Sequence, residues 1–198
     1  MQISKQYRFV FIDIPKTASL TLDTVFSQYG SELERPPKNS RLGEKHCRVI
    51  PDWAKDYTKI TCVRNPFERI CSFYHFMKQQ DKLFEWYKIK TFDDFIDRCL
   101  EYNDCPDDEP HGYKYRMFPM WKYLKPLGYD ILLRQEYLKE DLQQLSFIDN
   151  LDLPTKNRNE NKLSWADEYT EKRKRKIIQW AGDDFDLFGY SRDYIKYK

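Results

Sequence analysis

Apolar residues along the chain recur with two different periods, and each period predicts a kind of element. Tyr7 to Ile14 (YRFVFIDI) is a short, nearly continuous apolar run rich in β-branched and aromatic residues and closed by Pro15, the pattern of a buried strand. After Ser19, residues Leu22, Val25, Phe26 and Tyr29 recur at helical spacing, and Gly30 supplies a stop. Lys59 to Val63 (KITCV) predicts a second buried strand, followed from Pro66 by a helix with the stripe Ile70, Phe73, Tyr74 and Met77. In that helix Glu68 and Arg69 read as surface charges. Thr91 is placed to cap a further helix carrying Phe92, Phe95, Ile96 and Cys99 on one face. Tyr129 to Arg134 (YDILLR) predicts a third strand, with Leu138, Leu142 and Leu145 on the helical face after it. A last helix is expected from about Thr170 to Ala181, before the closing segment DDFDLFGY. Strands alternating with helices predict an α/β fold around a central, mainly parallel sheet flanked by helices in three layers.

Between these elements lie polar stretches. Residues 31–45 (SELERPPKNSRLGEK), broken by Pro36-Pro37, read as a surface loop within a wider flap, 31–57; 101–110 (EYNDCPDDEP) reads as an acidic loop. The run Lys172 to Lys176 is short enough to be an ordinary charged helix face.

Composition narrows this picture. With 198 residues the chain fits one domain, 1–198, large enough to enclose a core and a ligand. Its formal net charge of +2 gives no general attraction for a nucleic acid, so any anion site must be local. The five cysteines form no CxxC pair and no even disulfide framework, and read as reduced core thiols. No leader-like pattern opens the sequence and no apolar run approaches the ~18 residues of a membrane helix. The chain as given therefore reads as cytoplasmic, or luminal if it is a trimmed catalytic domain. Nothing in it specifies an oligomeric state.

Candidate chemistry sits where ligands of open parallel sheets sit, outside the carboxyl ends of the strands. Pro15-Lys16-Thr17-Ala18-Ser19-Leu20-Thr21 joins the first strand to a helix through small residues whose N–H groups can face an anion at the positive helix end. Lys16 adds a full charge, and Thr17, Ser19 and Thr21 add hydroxyls. Alone, this segment reads equally as a capped helix start with an exposed lysine. It holds no glycine, unlike the GxxxxGK[ST] loop that cradles ATP, which counts against a small-molecule kinase. The second strand runs into Arg64-Asn65-Pro66-Phe67-Glu68-Arg69-Ile70-Cys71-Ser72, where Arg64 can grip a phosphate through two N–H donors and Ser72 can add a hydroxyl.

The pair IPKTASLT and CVRNPFERICSFY, in that order and each at a strand–helix junction, resembles the two phosphate-binding motifs of sulfotransferases that use 3′-phosphoadenosine 5′-phosphosulfate (PAPS), above all those acting on heparan and chondroitin. ILLRQEYLKEDLQQL, LPTKNRNENK and DDFDLFGYS are similar to later segments of the same family. The resemblance implies a P-loop-like fold, with Lys16 contacting the 5′-phosphosulfate, Thr17, Ala18, Ser19 and Thr21 lining the loop around it, and Arg64 and Ser72 holding the 3′-phosphate of PAPS and of the product PAP. Asn157 falls where relatives carry an asparagine in a His-x-Asn pattern, with Thr155 in place of the histidine. His46, lying between the two phosphate motifs as the base does in the heparan 2-O-type enzymes, is the implied general base that takes the acceptor's proton. His75 and His111 are weaker candidates.

The implied acceptor is a hydroxyl, in this branch that of a carbohydrate, recognised by the flap and by the aromatic stretch Tyr113 to Tyr123. No HExxH, CxxC or carboxylate cluster of ligand spacing appears, so no metal is expected. A catalytically silent PAP-binding module, keeping both phosphate motifs without a working base, fits the same residues.

Overall fold

The computed structural model describes residues 1–33, 49–79, 88–103, 118–149, 153 and 168–193. They group into two compact units, the first holding 1–33, 49–64, 122–149 and 153 and the second 65–79, 88–103, 118–121 and 168–193.

The first unit is built on a five-stranded sheet of order β3-β1-β2-β4-β5. Its strands are β1 (Gln2–Ser4), β2 (Phe9–Ile12), β3 (Ser31–Leu33), β4 (Thr58–Val63) and β5 (Ile131–Arg134), and its helices are α1 (Ser19–Gln28) and α5 (Leu138–Gln143). The three expected strands are β2, β4 and β5, and they run parallel, Ile12 opposite Thr61 and Val63 opposite Arg134. Two short strands extend the sheet antiparallel: β1 pairs with β2 and β3 pairs with β1. Their three residues each are too few to show a period, and Ser31 to Leu33, expected in a loop, instead form the edge strand. The turn from β1 to β2 is held by Ser4, whose hydroxyl accepts the Tyr7 N–H at 3.2 Å and donates to the Tyr29 carbonyl at 2.9 Å.

Period two along β2 sends Phe9 and Phe11 to one face, where they pack with Leu22, Val25 and Phe26 of α1, Ile60 and Cys62 of β4, Leu133 of β5, and Leu142 and Leu145. Phe147 stacks on Phe9 at 4.9 Å and closes this core. Val10, Ile12, Thr61 and Val63 of the opposite face are buried too, the signature of strands covered on both sides. At the end of β5, buried Asp141 accepts the backbone N–H of Arg134 at 2.7 Å and its Nε at 3.2 Å, tying strand to helix.

The second unit is helical: α2 (Pro66–Lys78), α3 (Phe92–Asn103), α6 (Glu171–Ala181) and α7 (Asp183–Phe188), with α4 (Met120–Leu124) beginning in it. The predicted stripes of α2 and α3 are buried, and they meet through aromatic contacts such as Phe73 with Phe95 at 5.5 Å and Tyr74 with Phe92 at 4.9 Å. Thr91 caps α3 as expected and reciprocally: its hydroxyl accepts the Asp94 N–H at 3.2 Å while the Asp94 carboxylate accepts the Thr91 N–H at 2.8 Å. Basic residues of α6 are engaged as a charged helix face. Arg173 forks onto Asp93, Lys174 reaches Glu171, and Lys176 pairs with Asp97.

Arg69 departs from its expected place on the surface. It is 1% exposed, donates from Nη1 to the Phe118 carbonyl at 2.8 Å and lies 5.6 Å from the centre of the Trp180 ring. Cys62, Cys71 and Cys99 are free, buried thiols, and burial pushes Cys62 and Cys99 well above the usual thiol range. Cys47 and Cys105 lie outside the described residues. Among the described residues no helix is long and apolar enough to cross a membrane.

Candidate anion-binding site

Because β2 and β4 are parallel neighbours, the turns that follow them lie side by side at one edge of the sheet. The first turn carries an unusual backbone. Lys16 and Ala18 both have positive φ, 70° and 68°, with Thr17 between them on the ordinary side. Left-handed backbone costs a residue with a Cβ roughly 1–2 kcal/mol. Such alternation of hand turns successive N–H groups toward a common concavity, the geometry that receives anions in phosphate-binding loops.

Side chains hold this turn from within. Thr17, wholly buried, donates its hydroxyl to the Ile14 carbonyl at 2.8 Å, and Ser19 donates to the same oxygen at 3.1 Å. Both hydroxyl protons therefore serve the turn's own backbone. What Thr17, Ala18 and Ser19 present at the helix end is their main chain. Ala18 is the N-cap of α1 and has no side chain able to cap it; Leu22 N–H bonds back to its carbonyl at 3.0 Å. No acidic residue stands in the first turn of α1, so the positive end of its dipole is not offset by a carboxylate there. Lys16 and Thr21 are both partly exposed at this end.

The second turn starts from Arg64, whose Nη1 donates to the Lys16 carbonyl at 3.4 Å. Lys16 and Arg64, 48 residues apart in sequence, are thus brought together. Asn65 then caps α2, its Oδ1 accepting the N–H groups of Phe67 at 3.0 Å and Glu68 at 3.5 Å, and Pro66 occupies the first turn, where a missing N–H costs nothing. Asp13, buried just past the end of β2, adds a carboxyl group that no sequence pattern singles out. Burial, then the charges of Glu136, Asp141 and Asp13, raise the Cys62 thiol, while Arg64 opposes them.

Ser72 sits partly exposed on α2, in the second unit. His75 lies on the same helix, and burial lowers its imidazole below the ordinary value. His46, His111 and Asn157 lie outside the described residues, as do Thr155 and nearly all of the flap's first half. Among the described residues no group of three or more His, Cys, Asp or Glu could hold a metal ion.

A parallel α/β sheet that ends in a lysine-bearing turn of alternating hand, with an arginine reaching over it, can receive a phosphate-like anion. A family model described as the sulfotransferase family matches residues 1–191, and the chain belongs to that family, whose reaction is transfer of a sulfuryl group. No curated protein and no solved structure matches the chain.

Proposed function

We propose that this protein transfers the sulfuryl group of PAPS to a hydroxyl of a carbohydrate acceptor, within one catalytic domain spanning 1–198. The observation that carries the proposal is the meeting of Lys16 and Arg64 at the carboxyl edge of β2 and β4. Donor and product are both phosphorylated at the 3′ and 5′ positions, and Lys16 and Arg64 are two cationic residues at this edge. Lys16, with the main chain of Thr17, Ala18 and Ser19 and the hydroxyl of Thr21, would bind the 5′-phosphosulfate. Arg64, with Ser72, would bind the 3′-phosphate, and Asn157 would belong to the nucleotide side.

In the reaction the acceptor oxygen bonds to sulfur as the bond from sulfur to the 5′-phosphate oxygen breaks in line behind it. The electron pair of the broken bond stays on that phosphate oxygen, where Lys16 and the N-terminus of α1 offset the charge. The acceptor's proton passes to a base, which we assign to His46. These cations and the helix end meet the charge requirement, and the proposed turnover needs no metal.

Thermal unfolding with PAP, PAPS and Mg-ATP tests the donor. A ligand at 100 times its dissociation constant stabilises by about 2.7 kcal/mol. Stabilisation by PAP and PAPS is expected; none with PAP, or more with Mg-ATP, overturns the proposal. For the base, His46→Ala should abolish transfer and retain PAP binding. Full activity in that variant places the base elsewhere, and a wild-type protein that binds PAP without transferring sulfate to any sugar is a silent binding module.

A further inference from the structure

The turn at 16–18 holds two residues with a Cβ in left-handed backbone, and something must keep it from relaxing. Thr17 and Ser19 fix its inner side, both onto the Ile14 carbonyl. Neither bond acts on the peptide that follows Lys16. One contact to that peptide comes from just past the end of the next strand: Arg64 Nη1 donates to the Lys16 carbonyl oxygen. A guanidinium carries five N–H donors in a rigid fork, so one bond to a carbonyl is compatible with a second set to a phosphate.

Resting on the donor assignment above, we infer that Arg64 is also a positioning residue for the 5′-phosphosulfate turn. By holding the Lys16 carbonyl, it fixes the N–H groups of the turn in the orientation that receives the 5′ anion. The two ends of the donor are then read by coupled elements rather than by independent ones. A residue that served only the 3′-phosphate would have no influence on a ligand lacking that group; Arg64 has one.

Calorimetric titration with three nucleotides separates the roles: PAP, with both phosphates; adenosine 5′-phosphosulfate, with only the 5′ group; and adenosine 3′-monophosphate, with only the 3′ group. Arg64→Ala should weaken adenosine 5′-phosphosulfate by about three- to tenfold, the range for one hydrogen bond, besides its loss of affinity for the 3′-monophosphate. Ala18→Gly added to that variant should restore most of the 5′ affinity and none of the 3′ affinity, because glycine adopts positive φ without strain and lets the turn hold itself. Arg64→Lys, which keeps a cation and guards against a folding defect, should also lose 5′ affinity, since an ammonium lacks the fork.

Unchanged binding of adenosine 5′-phosphosulfate in both single variants overturns the inference and leaves Arg64 a ligand of the 3′-phosphate alone. A loss of 5′ affinity that Ala18→Gly does not restore overturns it as well. Failure of the wild-type protein to bind PAP is a different result, which removes the donor assignment itself and this inference with it.

Discussion

The carboxylate of Asp184 accepts the backbone N–H of Met120 at 2.8 Å, joining positions 64 residues apart. Its other oxygen accepts the Trp121 N–H, also at 2.8 Å, so one side chain of α7 caps the start of α4. Asp184 is wholly buried, and burial pushes its carboxyl up to about 7, with Asp183 adding to the rise and Arg69 and the two N–H groups opposing it. An acid whose pKa is higher folded than unfolded binds more protons in the native state between the two values. Its contribution to stability is therefore full below about pH 4 and lost as the pH rises to about 7. Urea unfolding from pH 4.5 to 7.5 should show the wild type losing up to about 1.4 kcal/mol per pH unit relative to Asp184→Asn. Parallel pH profiles for the two proteins would contradict this.

Arg69 is the buried cation of this unit, bonded to the Phe118 carbonyl, and its charge opposes the rise of the Asp184 carboxyl. Arg69→Ala leaves the Phe118 carbonyl without this donor and should cost about 1–3 kcal/mol or more in chemical denaturation. Combined with Asp184→Asn it should cost less than the sum of the two single losses.

Asn65→Ala removes the acceptor for the Phe67 and Glu68 N–H groups and should lower the unfolding free energy by about 1 kcal/mol. Asn65→Asp, which retains the acceptor, should stay within a few tenths of the wild type by the same measurement.

Ala18 offers the opposite sign. Glycine at this position relieves left-handed strain and gives back part of the gain as unfolded-chain entropy, so Ala18→Gly should be neutral or stabilising by up to about 1 kcal/mol. Ala18→Val, β-branched at the same φ, should destabilise by more than about 1 kcal/mol, read as a shift in the denaturation midpoint at constant slope.

Much of this architecture was legible in the chain because it is written in repeated contacts. The stripe Ile70, Phe73, Tyr74 and Met77, the run FVFI and the Thr91 cap each combine several residues that call for the same local state, and all lie in the elements expected of them. The edge strands Gln2–Ser4 and Ser31–Leu33 carry no such redundancy, and pairing across the sheet, not local pattern, makes them strands. Arg69 was hidden by its charge, although it stands four residues before Phe73 on the buried face; Asp184 likewise stands four before Phe188. In both cases position on the helix outweighed residue type, since each polar group found a buried partner. At the site, sequence named Lys16 and Arg64 but could not show that one holds the other's carbonyl, nor that Thr17 and Ser19 turn their protons inward. Those facts belong to backbone conformation at Lys16 and Ala18, which side-chain types that disfavour positive φ conceal.

The two hydroxyls that share the Ile14 carbonyl bear on how fast this edge of the sheet can work. A turn held by bonds from its own side chains meets part of its ordering cost during folding, so less of that cost falls on binding of the proposed donor. Substitution of Thr17 or Ser19 is then expected to register in the lifetime of that proposed complex more than in the speed of its formation.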